Sequence, residues 1–403
     1  MGKRVMPMQP LDRVLAVVET GSRPPGGALS AASGMPSIGG ENLKLDGTLT
    51  LQDVRRVPED YAAQMKTGYL APGDVLINKD GAQTGKVAQY RGEFAEAVIN
   101  EHVFLLRGSC SLRQDYLFQV LRSEAAQRTI RALITGSAQP GLNQGFLKST
   151  RIPMPSLEEQ RRIAEVLDSV DNAIRGSERV CAKLAYLKRG SADHLLKSLP
   201  LNSSLAAGLE RIDAGWSPSC VDRPPLEQEW GVLKVSSITT ETFDPSESKT
   251  LPATLRHRAE LVAKVGDVLT ARANGVADLV ARTAIVDDLD HKNLMISDKT
   301  LRLVPRPTLS ARYLTLCMQH EMIRSQVRGL VTGSTGQGNI SQEELLSLRI
   351  AIPEFRHQME IEQVLTAIDA RILAEKNRCK KLRQVRVGLA EDLLSGRVRT
   401  VAA

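Results

Sequence analysis

The hydrophobic pattern is clearest between Ser156 and Ser198, where no proline interrupts and the apolar positions step by four and three residues. They run Ile163, Leu167, Val170 and Ile174, then Cys181 and Leu184, ending at Leu195. That spacing draws one narrow stripe along a helix, the seam of a coiled coil more than the broad face of a core helix. At about 1.5 Å per residue, a helix of some 40 residues reaches roughly 60 Å, longer than a compact domain needs. The pattern returns between Gln358 and Gly396. Ile163 aligns with Ile361, Leu167 with Leu365, Val170 with Ile368, Ile174 with Ile372, Cys181 with Cys379 and Leu184 with Leu382, every pair offset by 198 residues. Asp171 and Asp369, and the pairs Leu195-Leu196 and Leu393-Leu394, keep the same register.

The segments before the two helices also correspond. Pro72-Gly73-Asp74-Val75-Leu76 matches Val265-Gly266-Asp267-Val268-Leu269, a turn feeding an apolar strand. Ile134-Thr135-Gly136-Ser137 with Asn143 matches Val331-Thr332-Gly333-Ser334 with Asn339, and Gly21 after Glu19-Thr20 matches Gly215 after Asp213-Ala214. Val75 to Asn78, Val87 to Tyr90 and His102 to Leu106 read as strands, and Asp115 to Leu133 and Ala311 to Leu330 as amphipathic helices. Ile152-Pro153 and Ile352-Pro353 close each region, because a residue before proline is pushed out of the helical region, and Ser156 can cap the helix that follows. The expected fold is α+β with an internal repeat: globular domains at 1–155 and 200–353, a central helix at 156–199 and a C-terminal helix at 354–403. The economical arrangement pairs the two helices antiparallel, giving pseudo-twofold symmetry suited to a two-part DNA site. A duplicated scaffold that only oligomerises is the competing reading.

Composition narrows the function. The 403 residues carry a net charge of +7 with pI near 9.2, compatible with nucleic acid and equally with an ordinary basic protein. Five cysteines without any C-x-x-C suggest neither a zinc ribbon nor a disulfide framework, and Cys181 and Cys379 fall on the helical stripes as small core residues. Aromatic content of 3% argues against a base-stacking platform for single strands. No N-terminal apolar leader and no long apolar run occurs, so a cytoplasmic protein is expected.

The pattern Ile-Pro-x-Pro-x-Leu-Glu-Glu-Gln-x-x-Ile-Ala-x-Val-Leu-Asp at Ile152 to Asp168 resembles the hallmark of the specificity subunits of Type I restriction-modification systems. The run Gly388 to Arg399, the turn Pro72 to Leu76 and the Thr-Gly-Ser loops at Thr135 and Thr332 fit the same family, and the resemblance covers nearly the whole chain. It departs at Ile352 to Gln358, which lacks the second proline and the Leu-Glu-Glu and so leaves the onset of the second helix open. The resemblance implies two target-recognition domains on a spacer helix pair, reading a bipartite asymmetric sequence in double-stranded DNA, with the helices setting the unread gap. It implies two modification (methyltransferase) subunits as partners, restriction (motor-nuclease) subunits where present, and adenine-N6 methylation directed through them. It implies no cofactor in this chain, the S-adenosylmethionine belonging to the methyltransferase subunit.

Base edges in the major groove must be read by side chains of suitable geometry. After a predicted strand, Asn78, Lys79, Gln83, Thr84 and Lys86 offer amides for adenine edges and lysines for phosphate, with Arg272 and Asn274 at the equivalent place in the second domain. A bland hairpin turn explains them about as well. Thr135, Ser137, Gln139 and Asn143, and Thr332, Ser334, Gln337 and Asn339, form loops rich in hydroxyl, amide and glycine, suited to phosphate oxygens. Neither loop has the Walker pattern of a nucleotide site. The basic run Lys376, Arg378, Lys380, Lys381, Arg383 and Arg386 reads as a solvated face, or as a contact for DNA backbone or an acidic partner. No catalytic residue is expected: the chain has no Asn-Pro-Pro-Phe-type motif of amino-methyltransferases. Its six histidines show no metal-ligand spacing, and Glu59-Asp60 and Asp298-Lys299 are ordinary surface acidic groups. A scaffold binding DNA without sequence preference is the alternative function.

Overall fold

The computed structural model describes residues 6–26, 33–136, 140–240, 242–289, 293–332 and 338–400. The chain divides into two compact units, Met1–Val180 with Glu375–Ala403, and Cys181–Ala374. The division falls inside the long helices, so each unit holds one globular region and part of both helices.

In the first unit, β1 (Leu15–Thr20), β2 (Val75–Asn78), β3 (Val87–Gln89) and β4 (Val103–Gly108) form an antiparallel sheet in the order β1-β4-β2-β3. Alternate residues of a strand face opposite sides. Val75, Ile77, Phe104 and Leu106 therefore enter one core, beneath α1 (Gln114–Leu121) and α2 (Glu124–Ala132), with the start of α3 (Leu157–Lys197). Leu76, Val103 and Leu105 enter a second core with Ile38 and Ile99, under a three-stranded sheet of Arg56–Val57, Met35–Ile38 and Val98–Ile99. Covered on both faces, β2 is buried throughout.

The second unit repeats this order. Strands β5 (Leu209–Ala214), β6 (Val268–Ala271), β7 (Thr283–Ile285) and β8 (Thr300–Pro305) pair as β5-β8-β6-β7. Helices α4 (Ala311–Gln319) and α5 (Glu321–Leu330) follow, then α6 (Phe355–Ser395). Even the irregularity at the start of the first strand recurs, at Leu15/Val17 and Leu209/Arg211. The repeated turn aspartate proves structural. Asp74 receives Arg107 at 2.6 and 2.7 Å, and Asp267 receives Arg302 at 2.9 Å, each tying the turn to the neighbouring strand. Gly21 and Gly215 are required by close approach: a Cβ there would stand 1.7 Å from the Ile99 carbonyl and 2.2 Å from that of Ser297.

Two expectations need correction. Asp115 to Leu133 and Ala311 to Leu330 are each two helices, not one. Ser123 accepts from the Ala126 amide and begins α2, while His320 accepts from the Met322 amide and begins α5, so in both units a side-chain cap outcompetes helix continuation. The stripe on the long helices is also not a coiled-coil seam throughout. Ile163, Ala164 and Leu167 belong to the first unit's core, and Ile361 and Leu365 to the second's.

Between those ends the long helices pair antiparallel within each unit. In the first, Ser177 donates to Glu375 at 2.7 Å, Arg383 to Glu178 at 2.6 Å and Arg386 to Asp171 at 2.6 Å. In the second, Lys188 meets Asp369 at 2.9 Å, the repeat-equivalent of Arg386 with Asp171. Arg386 is thus no solvated residue: the helix pair and Arg122 bury it against Asp171. Ser156 accepts from the Glu159 amide at 3.3 Å, as a cap should. The second long helix starts at Phe355 despite its divergent lead-in, with the Glu354 carbonyl accepting from His357 and Gln358. No described helix is long and apolar enough to cross a membrane.

Candidate nucleic-acid interface

In the first unit, β2 ends at Asn78 and the chain turns through Gly81 and Gly85 before β3. Both glycines have positive φ, and a Cβ on Gly85 would stand 3.0 Å from Ile130 Cγ2. This turn and the loop after α2, far apart in sequence, meet. The Gly81 amide donates to the Pro140 carbonyl at 2.9 Å, the Leu142 amide to the Lys79 carbonyl at 2.7 Å, and Thr84 Oγ1 to the carbonyls of Gly81 and Pro140 at 2.6 and 3.2 Å. Thr135 and Gly141 exchange two backbone bonds, folding the second loop on itself.

The second unit builds the same junction as a short ladder. Ala273–Asn274 pairs with Gly338–Asn339, the Ile340 amide donates to the Arg272 carbonyl, and Thr332 and Asn339 exchange backbone bonds. Both junctions are held from behind by the second helix of the pair. Gln127 donates to the Gly85 carbonyl at 3.1 Å, and at the equivalent place Arg324 donates to the carbonyls of Val280 and Asp278 at 2.7 Å each. Burial pushes the Arg324 guanidinium down to about 10. Asp278, whose carbonyl takes one of those bonds, has its carboxylate ringed by Arg282, Arg324 and Arg328. Burial raises its pKa, and the arginines together hold it below the usual range.

The predicted residues divide by orientation. Gln83, Thr135 and Asn143 are exposed in the first unit, and Thr332 and Asn339 in the second. Asn143 accepts from the Gly145 amide and Asn274 from the Val276 amide, which fixes both loop tips. Arg272 is half-buried and makes no side-chain hydrogen bond or ion pair with another described residue. Asn78 is a correction: at 2% exposure it is sealed beside Gly40, since a strand covered on both faces leaves its last residue inside. Lys79 and Lys86 are half-buried and donate to the carbonyls of Glu101 and Leu43 at 3.3 and 3.1 Å. Ser137, Gln139, Ser334 and Gln337 lie outside the described residues.

The sequence reading missed the turn that leads into the last strand of each sheet. The Lys79 amide donates to the His102 carbonyl and the Arg272 amide to that of Lys299, so Asn100–His102 and Ser297–Lys299 stand beside the junctions at equivalent places. In the first unit, His102 Nδ1 lies 2.7 Å from Asp80 Oδ1 and Nε2 3.2 Å from Glu101 Oε1. In the second, Asp298 accepts from Ser217 at 2.5 Å and Arg258 lies 4.2 Å above the Trp216 ring. The only signal in the sequence was a polar triplet ahead of a strand. The same backbone platform thus carries different polar chemistry in the two units.

A family model described as the Type I restriction modification DNA specificity domain matches residues 14–184. The EcoEI specificity subunit of Escherichia coli is 32% identical over 188 residues, 46% of this chain, and the match spans 31% of that relative's length. The MjaVIII specificity subunit of Methanocaldococcus jannaschii is 20% identical over 349 residues, covering 81% of this chain and 79% of that one. The crystal structure of an S subunit of a Type-I restriction-modification system from M. genitalium superposes with a TM-score of 0.63 at 12% identity, over 98% of this chain and 97% of that one, and so shares its fold.

Proposed function

We propose that the chain is a specificity subunit of the Type I restriction-modification kind, the non-catalytic subunit that selects the DNA sequence on which partner subunits act; the family model over residues 14–184 and the likeness to two specificity subunits support this reading. Each unit reads one half of a bipartite, asymmetric site in double-stranded DNA. Two methyltransferase subunits, holding the S-adenosylmethionine, then methylate adenine N6 within the site, and restriction subunits join where they exist. The observation that carries this reading is the doubled junction: one backbone platform, built twice, presenting Gln83, Thr135 and Asn143 in one unit and Arg272, Asn274 and Asn339 in the other. Equivalent platforms supply similar groove-reaching geometry, and different side chains supply different base preferences.

The test exchanges residues 1–155 for the same region of a relative with a different target, in a host carrying the methyltransferase subunit, with methylated adenines mapped by long-read sequencing. One half of the methylated sequence changes and the other stays. A change in both halves or in neither removes the assignment. Binding of equal strength to random and site-bearing fragments would leave the non-specific scaffold in its place.

A further inference from the structure

In the second unit, the loop 252–260 and the segment around Trp216 both fasten to residues 295–299, beside the junction. The Arg258 amide donates to Met295 Sδ at 3.2 Å, the Trp216 amide to the Ile296 carbonyl at 3.0 Å, and Ser217 holds Asp298. The Arg258 guanidinium lies 4.2 Å above the Trp216 ring and is exposed. Lys299, at the end of the segment, is exposed too. Neither side chain makes a hydrogen bond or ion pair with a described residue. A guanidinium stacked on an indole is held in place by the ring while its N–H groups remain uncommitted. Arg272, whose amide donates to the Lys299 carbonyl, adds a third charge without an ion-pair partner among the described residues.

The first unit is balanced at the matching places. His102 answers Lys299, and Lys79 answers Arg272. The bridges Tyr69–Val98 and Val262–Met295 put Met65 where the second unit has Arg258. Lys79 donates to the Glu101 carbonyl at 3.3 Å, His102 lies between Asp80 and Glu101, and Arg23 Nη1 is 3.7 Å from Glu101 Oε1. Lys66, beside Met65, is exposed without a described partner.

Resting on the reading that both units recognise DNA, we infer that Arg258 and Lys299 grip the phosphate backbone at the second half-site, and that the matching surface of the first unit grips far less. A phosphate contact needs a reachable charge more than a fixed donor direction, and it positions the duplex without reading sequence. Cations already matched by carboxylates add little net attraction. Trp216 is a positioning residue that acts through Arg258.

The full chain, purified with its methyltransferase subunits, is titrated with a fluorescent duplex carrying its mapped methylation site and with a random duplex, between about 50 and 200 mM salt. Arg258→Gln and Lys299→Gln each weaken both duplexes by the same factor and lower the slope of log K against log[salt] by about 1. Arg23→Gln, in the first unit, lowers it by less than about 0.3. Trp216→Leu reproduces the loss seen in Arg258→Gln, and Trp216→Phe, which keeps a ring face, restores the slope. An unchanged slope in the double variant Arg258→Gln/Lys299→Gln overturns the inference. So does an equal loss in Arg23→Gln, or weakening confined to the site-bearing duplex. A wild type that binds both duplexes equally sinks the specificity reading itself, whereas a selective wild type with unmoved variants removes only this grip.

Discussion

Asp171 accepts from Arg386 and Arg122 at 2.6 Å each and from Gln119 at 3.1 Å, all within the first unit. Burial alone would raise its pKa, but the two guanidinium groups outweigh burial and hold the carboxyl below its ordinary value. Removing one member of such a buried network strands the charges that remain, so Asp171→Asn should destabilise the first unit by about 3 kcal/mol, read as a fall in denaturant midpoint. The pH dependence follows from the depressed value. The stabilisation is complete above the unfolded carboxyl pKa of about 3.9 and is lost as pH falls through the lower folded one. Asp171→Asn should therefore flatten the acid limb of a stability profile below about pH 4. Its repeat mate Asp369 holds the same register but is 44% exposed and meets Lys188. Asp369→Asn should cost less than about 1 kcal/mol. Equal losses in the two variants would refute the argument from burial.

At the scale of elements, each long helix is fastened to its domain by a buried glutamine. Gln160 donates to the carbonyls of Ser111 and Pro155 and accepts from the Arg113 amide; Gln358 does the same with Thr308, Pro353 and Ser310. Gln160→Ala leaves those backbone groups unpaired, at about 1–3 kcal/mol, and hydrogen exchange should speed at Arg113 and across the first turn of α3. Much of this architecture was legible in the chain, because the 198-residue offset holds apolar stripe, aspartate and cysteine together. The glutamine was visible inside the hallmark, yet its role was not, since its partners Ser111 and Arg113 lie beyond the preceding strand. The helix breaks at Ser123 and His320 were hidden for a different reason: a capping side chain leaves the apolar period nearly intact. The turn at the end of the second strand was legible in part: Gly81 and Gly85 marked it, but spacing cannot say that Gly81 bonds to Pro140, or that Asn78 faces inward.

For the whole molecule, several of the arginines are held in ion pairs within the protein. Arg383 and Arg386 pair with Glu178 and Asp171, and Arg302 and Arg107 with turn aspartates. With a net charge of only +7, the isolated chain should bind duplex DNA weakly. The slope of log K against log[salt] should steepen when the methyltransferase subunits add phosphate contacts; an equal slope with and without them would contradict this. The way the units divide the long helices has a consequence for biosynthesis. Domains usually fold in the order they are made, N-terminal first. Here Cys181–Ala374 is one continuous stretch, whereas the first unit needs Glu375–Ala403, which is made after it. Until that segment emerges, the first core lacks Ala390, Leu393 and Leu394, and Asp171 lacks Arg386. The half of the molecule begun first is therefore the half finished last. A nascent chain stalled short of residue 375 would expose a protease-sensitive first unit beside a completed second one.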